Sequence, residues 1–316
     1  SWAMMAPFVT AGETVHSIDV LYVELSAGGL KGCAETMGVD YLGETTASMM
    51  AELSQLSDLT LSNLTPEHVQ TLLPPGGSRN GLDCALWDLR AKQCHGGISS
   101  LLGRAMNPME TLYTLSLDEP ENMARSAHHA AHLTQLKLKL NGHKALECLQ
   151  AVRAARPEAS IVIDANGSWS EALLLDLGDD LARLRVALLE QPLAADLDHC
   201  LQHLNYPVPL CADESCQASE DLERVADCYQ AINIKLDKCG GLTEALLMRD
   251  WCQKYDKQMM VGNMLGSSLA MAPACVIAQT ADFVDLDGPL WQSDDVAYPL
   301  QIVDGCIQPP APELWG

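Results

Sequence analysis

Three carboxylates and three lysines sit in short apolar runs, at a spacing that would gather them around one point. Asp164 closes the run Ile161-Val162-Ile163, Glu190 closes Leu188-Leu189, and Asp213 closes Leu210-Cys211-Ala212. If each run is a strand of one sheet, the acids stand side by side. Hard oxygen donors with no His or Cys among them suit Mg²⁺, with water and substrate completing an octahedron. For any one acid alone the N-cap of a following helix is the favoured reading; three on successive strands favour the metal. Lys137 and Lys139 alternate with Leu136, Leu138 and Leu140, so the lysines share one strand face and the leucines the other. Lys235 closes Ile232-Asn233-Ile234, and an ammonium on either side of a metal makes a two-base site. A lysine of ordinary pKa, about 10.4, must fall by roughly 3 units, or about 4 kcal/mol, to act as a base near neutrality. A cation and a second lysine push that way, while the carboxylates oppose it. Asp285 and Asp287 share one face of the run from Phe283 to Asp287. They read either as a turn initiator before Gly288-Pro289 or as a receptor for an ammonium group.

The elements that must position these groups follow from their pitch. From Lys139 the steps are 25 residues to Asp164, 26 to Glu190, 23 to Asp213 and 22 to Lys235. One βα unit takes about that much chain, and charged residues closing each run are what a (β/α) barrel presents at the C-terminal ends of its strands. Eight such runs are expected: Leu112 to Leu117, Gln135 to Leu140, Ile161 to Asp164, Ala187 to Glu190, Leu210 to Asp213, Ala231 to Lys235, Met259 to Asn263 and Phe283 to Asp287. Helical patterns over Ala145 to Ala155 and Ser170 to Leu184 separate some of them. Before residue 110 the pattern changes. Val20 to Leu25 reads as a strand, Gly28-Gly29 as a turn, Thr45 to Leu56 as a helix, and Leu82, Ala85, Leu86 and Leu89 as the apolar stripe of another. The expected organisation is an α+β capping domain over 1–108, a modified TIM barrel, (β/α)7β, over 109–298, and a Pro-rich segment over 299–316 that returns to the cap.

Composition narrows the function classes. The chain of 316 residues carries 42 Asp and Glu against 19 Lys and Arg, a net −23 that repels phosphate backbones and anionic membranes. Neither nucleic acid nor membrane is expected as a partner. Twelve Cys without a CxxC pair read as free thiols of a cytoplasmic protein rather than a disulfide framework. His128, His129 and His132 read as a polar helix face, and Gly266-Ser267-Ser268-Leu269-Ala270 lacks the last Gly of a nucleophile elbow.

Taken together, Lys137-Leu138-Lys139, Asp164-Ala165-Asn166, Glu190-Gln191-Pro192, Ala212-Asp213-Glu214-Ser215 and Ile234-Lys235-Leu236-Asp237-Lys238-Cys239-Gly240-Gly241 resemble the muconate-lactonizing-enzyme subgroup of the enolase superfamily. The stretch from Asn80 to Leu89 resembles its cap-domain helix, and the match spans essentially the whole chain. Asp285-Leu286-Asp287 at the eighth strand further resembles the dipeptide epimerases, L-Ala-D/L-Glu epimerases among them, where this pair holds the substrate α-ammonium. The resemblance implies that Asp164, Glu190 and Asp213 bind Mg²⁺. It makes Lys139 and Lys235 the acid and base on opposite faces of the C-terminal α-carbon, with Lys137 polarising the carboxylate of an ene-diolate. Thr114 and Asn263 match positions that line the substrate pocket. Family members acting on Glu often bring an Arg from the first cap loop, but Thr10 to Asp19 contains no Arg or Lys and does contain Glu13. The second loop, Cys33 to Thr45, holds Glu35, Asp40 and Glu44 and again no Lys or Arg. A dipeptide with a neutral or cationic second residue is therefore expected. The alternatives are other subgroup activities: o-succinylbenzoate synthesis, N-succinylamino acid racemisation or cycloisomerisation. Peptidoglycan peptide metabolism is the setting the family implies, and homo-oligomerisation is left open.

Overall fold

The computed structural model describes residues 1–57 and 64–316. Its centre is a parallel sheet of eight strands: Tyr113–Leu115, Gln135–Lys139, Ser160–Asp164, Val186–Glu190, Leu210–Ala212, Ala231–Ile234, Gln258–Val261 and Phe283–Val284. Each pairs with the next in chain order. Leu112 N donates to Val284 O at 2.7 Å, joining the first strand to the eighth and curling the sheet into the barrel of a (β/α)7β fold. All eight expected runs are strands, although several end earlier than the sequence pattern suggests. Asp213, Lys235, Asn263, Asp285 and Asp287 lie just beyond the ladders. The backbone there turns to other partners; Asp213 N, for example, donates to Gln191 Oε1 at 2.9 Å.

Alternation decides which way each side chain points. Leu136, Leu138, Ile161, Ile163, Leu189, Ile232 and Ile234 face outward into the main apolar core against the helices. Leu112, Val162, Leu188, Cys211, Ala231 and Met260 face inward and plug the barrel as a small separate core. The polar groups stand on that plug. Five connections carry full helices: Pro120–His129, Ala145–Ala155, Glu171–Arg183, Leu242–Lys254 and Ser268–Ala278. Between the fourth and fifth strands the chain forms only a 3₁₀ segment, Ala195–Leu201, and between the fifth and sixth a short 3₁₀ turn, Ser219–Asp221, running into one helical turn, Leu222–Val225. These are the two shortest steps noted above, which leave too little chain for a long helix.

The N-terminal part forms two antiparallel hairpins, Trp2–Val9 with Thr14–Ile18 and Leu21–Ala27 with Leu30–Thr36. Gly28 (φ 61°) and Gly29 (φ 80°) make the second turn, where two left-handed residues in succession match the twist of the strands. Helices Thr46–Leu53 and Pro66–Leu72 are capped by the side chains of Thr45 and Thr65. The long helix Gly77–Gln93 docks on the barrel through Gly240-Gly241. A Cβ on Gly240 would lie 2.3 Å from Arg79 Nε and one on Gly241 2.6 Å from Asp83 Oδ2, and both glycines have positive φ. The C-terminal tail runs back over the same helix: Trp315 Nε1 donates to Cys84 O at 3.1 Å, and Gly316 N to Asp88 Oδ1 at 2.7 Å. All twelve cysteines are free thiols. Among the described residues, no helix is long and apolar enough to cross a membrane.

Candidate active site

At the C-terminal ends of the strands, Asp164, Glu190 and Asp213 converge so that one oxygen from each lies within 4.8 Å of the others. Lys139, Asp164 and Glu190 are successive register partners across three strands, which sets them side by side. None of the acids caps a helix; Ser170 caps Glu171–Arg183 instead, through a bond from Leu173 N. All three are buried, and lysines come down onto them. Lys139 Nζ is 2.7 Å from Asp164 Oδ2, and Lys235 Nζ is 2.6 Å from Asp213 Oδ2. Lys137 Nζ lies between Asp164 Oδ2 at 3.0 Å, Glu190 Oε2 at 2.8 Å and Asp285 Oδ2 at 2.7 Å.

The charges act on one another. Burial pulls Lys235 down, but the Asp213 and Glu190 carboxylates outweigh it and hold the ammonium above its usual range. Burial would raise Asp164, yet Lys137 and Lys139 win and hold it well below the ordinary carboxylate range. Glu190 goes the other way, pushed up to about 8 by burial and then by the Asp164 carboxylate. Its Oε2 forms an ion pair with Lys137 but accepts no hydrogen bond from the described residues. An under-compensated carboxylate among three hard donors fits a divalent cation, and these residues could hold one.

Above this floor opens a cavity of about 530 Å³. Thr114, Lys137, Lys139, Asp213, Lys235, Asn263, Asp285 and Asp287 line it, whereas Asp164 and Glu190 lie beneath. Lys139 and Lys235 belong to the second and sixth of eight strands, so they stand on opposite walls. Asp287 does precede a 3₁₀ turn, Gly288–Trp291, accepting from Leu290 N through its carbonyl, but its side chain does not cap the turn and both Asp285 and Asp287 are buried. Asp285 Oδ2 accepts from Lys137 Nζ, and its buried Oδ1 has no hydrogen-bond partner among the described residues. Asp287 Oδ2 accepts from Thr114 N at 2.7 Å and Trp291 Nε1 at 3.2 Å, and burial together with Asp285 pushes its carboxyl up to about 6. Asn263 Nδ2 donates to Asp285 O at 2.6 Å, which ties the seventh strand end to the eighth. The two sequence decoys have ordinary places: Ser267 caps Ser268–Ala278, and His128 and His129 end a helix.

The same architecture is found in known proteins. Residues 1–103 match the N-terminal domain model of mandelate racemase and muconate lactonizing enzyme, and residues 121–313 match the enolase C-terminal domain-like model. The chain belongs to the enolase superfamily. It is 39% identical to the L-Ala-D/L-Glu epimerase of Escherichia coli over 308 residues, covering 96% of both chains. It is 40% identical over 244 residues to an N-acetyl-D-glutamate racemase from a Pseudoalteromonas species, covering 77% of this chain and 78% of that one. A solved structure from Agrobacterium tumefaciens, an enolase family member with homology to dipeptide epimerases and bound to sodium and L-Ala-L-Glu, superposes with a TM-score of 0.97 at 40% identity, over 100% of this chain and 97% of that one.

This enolase-superfamily site contains residues the sequence reading did not assign. Asn233 Nδ2 donates to Glu190 Oε1 at 2.6 Å, and the two-residue step back from Lys235 was the signal that could have placed it inside the barrel. Buried Lys238 bonds Asp213 O and Oδ1, both at 2.6 Å, and also Cys216 O and Asn233 O; its place in the segment 234–241 was the signal that could have found it. Asn166 (φ 44°) and Gln191 (φ 35°), two residues past Asp164 and one past Glu190, hold left-handed conformations just beyond the strands that end in those acids. Asn166 bridges Lys139 and Glu214, while Gln191 Oε1 accepts from Asp213 N and Ser215 N.

Proposed function

We propose that this protein is a dipeptide epimerase that inverts the α-carbon of the C-terminal residue by two-base 1,1-proton transfer, with Mg²⁺ held by Asp164, Glu190 and Asp213. The observation that carries the reading is one cavity with Lys139 and Lys235 on opposite walls and a buried, unpartnered Asp285 Oδ1 beside Asp287. An α-ammonium is the donor that Asp285 lacks, and Asp287 adds a second negative charge to receive it, with Thr114 and Asn263 fixing the two acids from either side. That end-point orients the dipeptide across the barrel, its C-terminal carboxylate over the acidic triad beside Lys137. One lysine then removes the α-proton and the other returns a proton to the opposite face, so inversion follows from their placement. Mg²⁺, when bound, supplies positive charge beside the substrate carboxylate and offsets the acids that now hold Lys235 protonated.

The N-acetyl-D-glutamate racemase relative keeps a second reading in view, racemisation of N-acylated amino acids. Those substrates have no ammonium for Asp285 and Asp287. One experiment separates the two: L,L-dipeptides and N-acyl amino acids are incubated with the Mg²⁺-loaded protein in D₂O, and deuterium gain is followed by mass spectrometry. Exchange at the C-terminal α-carbon of dipeptides is expected. Exchange of N-acyl amino acids alone would replace the dipeptide reading.

A further inference from the structure

Charge is divided unevenly between the two ends of the cavity. The lysines that line it, Lys137, Lys139 and Lys235, all stand on the floor, each within 2.7 Å of a carboxylate oxygen. At the outer end Glu13 and Asp40 face the cavity, and no Lys, Arg or His lines it beside them. The two acids are close enough that Asp40 adds to partial burial in raising the Glu13 carboxyl. Phe8, Val15, Met37 and Leu265 give the walls an apolar stretch, and Asn166, Tyr41 and Glu214 line the cavity as well.

The rim also has a side. Tyr41, next to Asp40, accepts a bond from Gln217 Nε2 at 3.0 Å, which places that loop over the end of the fifth strand and away from Asp285 and Asp287 on the eighth. A dipeptide anchored by its ammonium at the eighth strand therefore points its C-terminal side chain toward the rim. That side chain must cross an apolar wall and end against two carboxylates. A long aliphatic stem tipped by a cation meets both conditions. A Glu side chain would instead bring a third carboxylate to a place where no lining group compensates it.

We infer that the enzyme prefers dipeptides whose C-terminal residue is Lys or Arg, with Glu13 and Asp40 as the specificity-determining receptors of the side-chain cation. The inference rests on the dipeptide reading above, and it sets this chain apart from the Agrobacterium relative that holds L-Ala-L-Glu.

The test compares kcat/KM for L-Ala-L-Lys, L-Ala-L-Arg, L-Ala-L-Leu and L-Ala-L-Glu in wild type and in Glu13→Gln and Asp40→Asn, with Mg²⁺ present. The cationic dipeptides are expected to exceed L-Ala-L-Glu by about tenfold or more. Their advantage over L-Ala-L-Leu should fall by about tenfold in the double variant, the scale of losing a charge partner. Because both substrates are read on the same protein, a variant that only folds less well leaves that ratio unmoved. L-Ala-L-Glu turned over as well as the cationic dipeptides, or a ratio unmoved in the double variant, would overturn the inference while leaving epimerase activity intact. Absence of exchange with every dipeptide would overturn the dipeptide reading itself, and this inference with it.

Discussion

The floor and the rim of the cavity are both acidic, but they are built on opposite plans. On the floor every lining lysine is paired with carboxylates, and second-layer groups such as Asn233, Lys238 and Gln191 fix the acids from behind. At the rim the acids face the cavity without a lining cation. The two halves of the rim differ again. The loop after Thr36 is pinned by Asp237, whose Oδ1 accepts from Thr36 Oγ1 at 2.6 Å, Met37 N at 3.0 Å and Gly38 N at 2.9 Å. It is pinned also by Glu44, which accepts from Val39 N at 2.7 Å. The backbone of the turn carrying Glu13 is held by local bonds, from Gly12 N and Glu13 N to Thr10 Oγ1 at 3.2 Å each and from Thr10 N to Glu13 O at 3.0 Å, and the Glu13 side chain reaches Asp40 on the other half of the rim. The lesson is a division of labour. Charge on the floor is balanced by fixed partners, while charge at the rim has no such cation beside it, which is the arrangement that the inferred selection of a cationic side chain requires.

The sharpest way to break this picture is at the floor. Lys139→Ala and Lys235→Ala should each lower epimerisation by about 10²- to 10⁴-fold. Each variant should still exchange the α-proton of one epimer in D₂O and not the other, in opposite senses. Exchange of both epimers by either variant would end the two-base assignment. One layer further back, Asn233→Ala should weaken Mg²⁺ binding by about 10- to 100-fold, measured by calorimetry, because Glu190 loses the donor that orients it. If affinity is unchanged, Glu190 is not a ligand or needs no orientation.

Smaller effects are expected where the floor meets the proposed ammonium receptor, Asp285 and Asp287. Asp287 has its carboxyl pushed up to about 6, so it is ionised above that pH and loses its charge as pH falls through it. The acid limb of kcat/KM for dipeptides should therefore break near 6, dropping about tenfold per unit below. Asp287→Asn should remove that break. Least affected should be stability at the rim. Asp237→Ala orphans three donors and should cost about 1–3 kcal/mol in urea unfolding, whereas Thr10→Ala on the locally bonded turn should cost about 0.5 kcal/mol or less. Equal losses would mean that the two loops are not held as differently as their bonds indicate.

Much of this molecule is readable along the chain because strand parity is a local property. Alternation in Leu136-Lys137-Leu138-Lys139-Leu140 already assigns the lysines to one face, and the pitch between charged ends already implies βα units. Local patterning also marks the Gly28-Gly29 turn and the helix Ala145–Ala155, whose bounds match the expected ones. The two shortest steps, after Glu190 and Asp213, already hinted at reduced connections, but no local pattern marked the short 3₁₀ and helical turns that fill them.

What the sequence by itself determined is therefore which groups face inward, in what order around the barrel, and with what type of donor. What only the tertiary structure decided is how those groups share charge. Closure of the first strand onto the eighth brings Asp285 to Lys137 across 148 residues, leaving one oxygen unpartnered. Packing of the N-terminal hairpins over the mouth brings Glu13 to Asp40. Parity acts over two residues, but electrostatic compensation acts through space, and its partners are known only once the chain has folded.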